Sequence, residues 1–220
     1  MGILVDSNTR VLIQGITGRE ASKVTQEMLS YGTKILAGVT PGKGGQSVEG
    51  VPVYDTVKQA MQEHPQINAS LVYVPPLAVL DAGLESISNG IKLLNVITER
   101  VPVLDSVKLI QAANKAGARI VGPTSVGIIT PGECKVGPIG GSDPNRVFQK
   151  GGIGLVSKSG SMTNETSWII RQAGFGQSTA VSIGGDFVTG SSFKELLMLF
   201  EEDEQTKAMV LFGELGGGYE

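Results

Sequence analysis

The stretch RVLIQGITGREASKVTQEMLSYGTKILAGV, residues 10–39, decides the fold. It opens on a short apolar run, 10–14, of the kind that a strand buried on both faces requires. A glycine turn follows at 15–18, and the next segment predicts a helix through Tyr31. KILAGV at 34–39 then reads as a second strand. Strand, tight turn, helix and strand make a βαβ unit, whose strands run parallel and whose crossover is right-handed. Ligands on such sheets bind beyond the carboxyl ends of the strands.

The same alternation continues on both sides of a glycine loop, TPGKGGQSVEG at 40–50. VPVY (51–54) is a short extended stretch, and 55–64 predicts a helix. ASLVYV (69–74) predicts a strand that Pro75 and Pro76 stop. A helix over 77–89, a strand at 93–98, a helix over 103–116 and a strand at 118–122 complete a first α/β domain, residues 1–125, with a parallel sheet covered on both faces. Residues 122–150 are rich in Gly and Pro; 126–150 reads as a link between domains, in which GIITPG and CKVGPI form either a short extended pair or a turn. A second series follows: strand and turn at 152–160, helix 161–175, strand 178–185, helix 191–203, strand 207–214. Three strands with two crossovers are half of a doubly wound domain, so 151–220 reads as the start of one, cut short.

Composition narrows the function. Thirty-one glycines are about double the average share, but without a three-residue period they do not signify collagen. Lys and Arg number 18 against 21 Asp and Glu, without the basic excess of a duplex-binding surface. There is no apolar run of membrane-spanning length, and the first apolar residues are too few for a signal peptide. These features predict a cytoplasmic protein whose partners are neither nucleic acid nor membrane. Cys134 is the single cysteine and has no evident partner histidine, so neither an internal disulfide nor a thiol nucleophile is expected. His64, the single histidine, lies beside Pro65 at a predicted helix end and reads as a surface residue. One histidine excludes a multi-histidine metal site, and no Ser-His-Asp triad is plausible; no metal ligands are assigned. Trp168 shares an apolar helix stripe with Ile169 and Phe175 and reads as core.

Two glycine turns carry the chemistry. GITGREA at 15–21 joins a strand to a helix as G-x-x-G-x-x-A, and is either a packing turn or a phosphate site built on free helix N–H groups. The second strand is followed by Pro41-Gly42-Lys43, where a plain NAD site would place an acid. Lys43 therefore suits a ligand with an extra phosphate, NADP or coenzyme A, or is a solvated surface lysine. Thr98 and Glu99 follow the fourth strand, either facing ligand or capping the next helix. In SKSGSMTNE at 157–165, Ser159, Gly160, Ser161 and Thr163 flank a helix start, as an anion pocket or a cap, with Asn164 and Glu165 in its first turn. Glu214 ends the last strand, placed to orient a base or a phosphorylated side chain, or simply exposed.

RVLIQGITGRE, KILAGVTPGKGG, GVPVYDTVKQA, NVITE, GIITPGECKVG, SKSGSMTNE, SIGGD and GELGG occur in this order over essentially the whole chain. Together they resemble the alpha subunits of succinate–CoA ligase, of the tricarboxylic acid cycle. The resemblance implies a Rossmann-like CoA-binding domain followed by an incomplete flavodoxin-like α/β domain. It implies a beta subunit that holds ATP or GTP with Mg2+, in a heterodimer or heterotetramer. It also implies a phosphohistidine in a G-H-A-G motif beyond residue 220, an acyl phosphate, and displacement of phosphate by coenzyme A. By position, Thr17, Gly18, Arg19 and Glu20 match the turn that holds the cofactor, and Lys43 the lysine at its nucleotide end. Ile97, Thr98 and Glu99 match the stretch along the pantetheine arm. Ser159, Gly160, Ser161, Thr163 and Asn164 fall at the helix start that receives the phosphohistidine, which Glu214 steadies.

There are departures. GPTSVG stands at 122–127 for the usual G-N-C-P-G, Asn164 for a common tyrosine, and PIGGSDPNR (138–146) for an M-P-G-H stretch. GPTSVGII and SMTNE are similar to ATP-citrate lyase and citryl-CoA synthetase. A citrate-type ligase or lyase subunit is accordingly one alternative; a CoA-binding module without catalysis and an NADP-dependent oxidoreductase are others. Taken alone, the chain is expected to be inactive, since none of its residues qualifies as the phosphoryl-carrying nucleophile.

Overall fold

The computed structural model describes residues 2–214. Strand β1 (Arg10–Gln14) runs into helix α1 (Arg19–Tyr31), which returns to β2 (Lys34–Val39). A two-residue strand β3 (Ser47–Val48) and β4 (Val51–Tyr54) precede α2 (Val57–Glu63) and β5 (Ala69–Val72). Then come α3 (Val79–Ser88), β6 (Leu93–Val96), α4 (Val103–Ala116) and β7 (Arg119–Val121). The sheet order is β3-β4-β2-β1-β5-β6-β7, parallel throughout except for the β3–β4 pair. The apolar runs have the cause expected of them, because successive strand side chains point to opposite faces. Val11 and Ile13 of β1 join a core with Val24 and Met28 of α1, while Leu12 joins a second core with Leu94 and Leu109.

The second sheet holds β8 (Ile128–Thr130), β9 (Cys134–Val136), β10 (Lys150–Ser157), β11 (Gln177–Ser182) and β12 (Ala208–Phe212), in the order β12-β10-β11-β8-β9. Helices α5 (Gly160–Gln172) and α6 (Phe193–Glu202) connect its three parallel strands. The first of those strands, β10, lies between the other two, as in flavodoxin-like doubly wound domains.

The stretch expected to link the domains is instead structural. β8 and β9 form an antiparallel hairpin, and β8 pairs antiparallel with β11. Its partner strand lies some fifty residues further on, so local pattern alone does not reveal the pairing. The hairpin also grips the first domain. Thr130 Oγ1 donates to Val5 O at 2.7 Å, and Thr33 Oγ1 donates to Lys135 O at 2.7 Å. Thr33 Oγ1 in turn accepts the Lys135 N–H at 3.1 Å. The Lys135 side chain is wholly buried, with Nζ donating to Gly141 O and lying 3.5 Å from Glu27 Oε2 on α1. Burial pushes the Lys135 ammonium below its usual pKa, and Glu27 pulls it back up.

A second expectation is corrected. Trp168, Ile169 and Phe175 are 44%, 57% and 60% exposed and are not core. On α5 the buried residues are Thr163 and Ser167, one turn apart. The helix lays this small, polar face on β10 and β11, so apolarity does not mark its inner side.

Removing Glu27's charge leaves a buried ammonium without its partner. Glu27→Gln is expected to lower unfolding stability by about 3 kcal/mol in urea, and Lys135→Met, which removes the buried charge, by less. A cation whose pKa is lower when folded opposes folding while protonated, and that penalty fades as pH climbs through the folded value towards 10.5. Wild-type stability relative to Lys135→Met should therefore rise from neutral pH upward, as measured by urea unfolding across pH.

Candidate functional site

A cavity of about 730 Å3 opens at the carboxyl ends of β1, β2, β5 and β6. Gly15 shapes its floor. It lies at φ +79°, and a Cβ there would stand 2.6 Å from Tyr73 O, so only glycine fits. The turn closes through Gly18 N–H to Gly15 O at 2.9 Å. No side chain caps the start of α1 at Gly18, which leaves first-turn N–H donors for a ligand. Thr17 Oγ1 donates to Thr40 Oγ1 at 3.2 Å, and Thr98 Oγ1 donates to Val74 O at 2.7 Å, so the strand ends are tied to each other.

Thr17, Gly18, Arg19, Glu20, Ile97, Thr98 and Glu99 all line this cavity. Lys43 is not among the lining residues. It is exposed on the following loop, where its N–H donates to Thr40 O at 3.0 Å. Tyr73 and Thr40 line the cavity too, although the sequence reading singled out neither. Burial, then the carboxylates of Glu20 and Glu27, raise the Tyr73 hydroxyl above the usual tyrosine pKa. The available signal was an aromatic residue at the carboxyl end of a strand that prolines stop.

A second cavity, of about 630 Å3, lies beyond β10 and β12 and is lined by Ser159, Gly160 and Glu214 together with Thr124, Lys158 and Gly185. Ser159 caps α5, its Oγ accepting from Met162 N–H at 3.3 Å. Thr163 is buried and donates its hydroxyl to Ser159 O at 2.7 Å. Asn164 Oδ1 accepts the Gly140 N–H at 3.1 Å, and Ser161 is exposed. Of the residues proposed from this motif, then, Ser159 and Gly160 line the cavity, whereas Ser161, Thr163 and Asn164 do not. Lys158, buried at the end of β10, places Nζ 3.7 Å from Glu214 Oε2. It stands in the motif quoted from the sequence, yet the hydroxyl residues beside it drew the reading.

His64 lines neither cavity; its Nε2 lies 3.1 Å from Tyr54 Oη. Cys134 is buried in the hairpin, and burial is the main cause pushing its thiol up to about 11. A third cavity, about 720 Å3, lies at the opposite end of the first sheet, and none of the residues singled out above lines it.

A family model for the CoA binding domain matches residues 6–100, and one for CoA-ligase matches 156–220. The ADP-forming succinate–CoA ligase subunit alpha 2 of Archaeoglobus fulgidus is 48% identical over 217 residues, covering 99% of this chain and 74% of that protein. The chain belongs to the succinate–CoA ligase alpha-subunit family. The corresponding subunit of Methanothermobacter thermautotrophicus is also 48% identical, over 99% of this chain and 72% of its own length. Among solved structures, ATP citrate lyase from Methanothrix soehngenii, in complex with citrate and coenzyme A, aligns with a TM-score of 0.86 at 25% identity. It covers 95% of this chain, which spans 36% of the lyase chain. Membership in this family makes the chain an alpha subunit of a nucleotide-dependent CoA ligase, with coenzyme A as ligand of its first domain.

The Gly15 turn gives a direct test of the cleft's geometry. Gly15→Ala must both strain a left-handed backbone and push apart Gly15 and Tyr73, and should cost about 2 kcal/mol or more in urea unfolding. Gly42 shares the left-handed backbone, at φ +76°, but has open space around it. Gly42→Ala should cost only about 1 kcal/mol.

Proposed function

We propose that this chain is the alpha subunit of a succinate–CoA ligase in which the first cavity holds coenzyme A and the second receives a phosphohistidine carried past residue 220. The supporting observation is that seven of the eight residues matched to the cofactor line one cavity at the carboxyl ends of the parallel strands. Its chemistry suits the ligand. Uncapped N–H groups at the start of α1 take phosphate charge, and the hydroxyls of Thr17 and Thr40 stand beside them. Val74, Pro75 and Ile97 offer an apolar wall to a pantetheine arm. Lys43, on its exposed loop, reaches the ribose phosphate as a mobile point charge.

Coenzyme A supplies the thiol that ends the reaction as a thioester. At the second cavity, the helix start at Gly160 meets phosphoryl charge with fixed donors. Lys158 holds Glu214 in place to steady the imidazole that carries the phosphoryl group. A beta subunit supplies ATP or GTP with Mg2+ in a heteromeric assembly. A second reading, a citrate-type ligase or lyase subunit, is supported by the GPTSVG run at 122–127 and by the overall likeness to the Methanothrix lyase.

Calorimetric titration tests the ligand. Coenzyme A should bind this chain, while NADH and NADPH should not; tighter binding of either nicotinamide nucleotide would refute the assignment. Lys43→Ala should weaken coenzyme A by about fivefold to tenfold and leave the form lacking the ribose 3′-phosphate unchanged. In the assembled enzyme, succinate should outpace citrate and acetate; preference for citrate would establish the second reading.

A further inference from the structure

Thr124 lines the second cavity and hydrogen-bonds a residue that lines the first. Its N–H donates to the carbonyl of Thr98, a lining residue of the cofactor cleft, at 3.1 Å, and Thr124 itself lines the anion cavity. Its backbone lies at φ +58°, the left-handed region that β-branched residues rarely adopt. The surroundings hold it there. On one side Gly190 N–H donates to Gly122 O at 2.9 Å, and on the other Ser125 Oγ donates to Ser182 O at 2.7 Å. The side chain then crosses to the loop after β11, where Thr124 Oγ1 donates to Asp186 Oδ1 at 2.7 Å. Asp186 directly follows Gly185, another lining residue of the anion cavity. Glycine or asparagine would hold this turn with less strain, so what threonine adds is the hydroxyl that fixes Asp186.

We propose that Thr124 is a positioning residue for thioester formation. Its backbone holds the cofactor cleft in register with the anion cavity, and its hydroxyl fixes the Asp186 loop on the cavity's rim. The proposal rests on the ligase reading above. In that step the coenzyme A sulfur bonds to the acyl carbon, the bond from that carbon to the phosphate oxygen breaks, phosphate leaves with the electron pair, and the thiol proton ends on the released phosphate. Attack requires the reacting atoms about 3–3.5 Å apart, and a misplacement of about 1 Å costs about a hundredfold in rate. Transfer of phosphate from nucleotide to histidine precedes this and does not involve the cofactor cleft.

The test uses the complete ligase, alpha chain and nucleotide-binding partner together. It follows two readouts: protein labelling from γ-labelled nucleotide, and kcat and KM for coenzyme A in acyl-CoA formation. Thr124→Ala and Thr124→Gly should each lower kcat about tenfold to a hundredfold, with KM and labelling rate within about twofold of wild type. Thr124→Ser, which keeps the hydroxyl, should stay within about threefold. Asp186→Ala should match Thr124→Ala, and the double variant should be no slower than either single one. Glycine relieves the left-handed strain, and an unchanged labelling rate shows the variant folded and assembled, so a loss of kcat beside it is not a folding defect. The proposal is overturned if labelling falls in parallel with acyl-CoA formation, if Thr124→Gly keeps wild-type kcat, or if Asp186→Ala leaves kcat unchanged. A wild-type assembly that forms no acyl-CoA refutes the ligase reading itself, and is recognised because the unmutated enzyme fails.

Discussion

The wholly buried side chain of Lys135 reaches from the β8–β9 hairpin to Glu27 on α1. The hairpin belongs to the second sheet through β8 and β11, while its ion pair and the Thr33 and Thr130 hydrogen bonds belong to the first domain. An ammonium can be held in such a place only where its partners are fixed, because desolvating it is costly and an imperfect pair does not offset the cost. The relative placement of the two sheets is thereby tied to an electrostatic contact as well as to apolar packing. α1 is also the helix whose uncapped start lines the first cavity, so the same element that binds the hairpin fixes the free N–H donors of that cavity.

The two cavities occupy matching places in their sheets. Each sits at the carboxyl ends of parallel strands, one in each sheet, and a hydrogen bond from Thr124, in the loop at 122–127, to Thr98 links their linings. Close backbone approaches fix that connection. A Cβ at Gly184 would stand 1.9 Å from Pro123 O, and Ser191 Oγ donates to Ile120 O at 2.6 Å. On the proposed ligase reading such a fixed separation is what the reaction requires, because it tolerates little displacement.

The strands and helices were legible wherever one short period dominated. RVLIQ and KILAGV coincide with β1 and β2, and 103–116 with α4, because both-face burial and helical spacing are written locally. The hairpin at 128–136 was only half legible: an extended pair was visible, but its partner β11 lies far along the chain. Trp168 misled because α5 uses Thr163 and Ser167 to approach its sheet, and small polar residues carry no apolar signal. In the candidate site, Thr17, Gly18, Arg19 and Glu20 line one cavity with Ile97, Thr98 and Glu99, since neighbouring residues at a strand end share one rim. Lys158 and Thr124 were missed for a physical reason. What marks them out is a contact, to Glu214 and to Asp186, made by residues more than fifty positions away.

Through its contacts to both domains, the hairpin should make them one cooperative frame. Trp168, the single tryptophan, lies on α5 of the second domain, whereas the CoA-binding family match lies in the first. Urea unfolding followed by Trp168 fluorescence, with and without coenzyme A at about 100 times its Kd, tests the claim most directly. In one cooperative frame, the tryptophan transition should gain the full ligand stabilisation of about 2.7 kcal/mol. A Trp168 transition that stays in place while far-ultraviolet circular dichroism shows a separate, coenzyme A-stabilised unfolding step would contradict it.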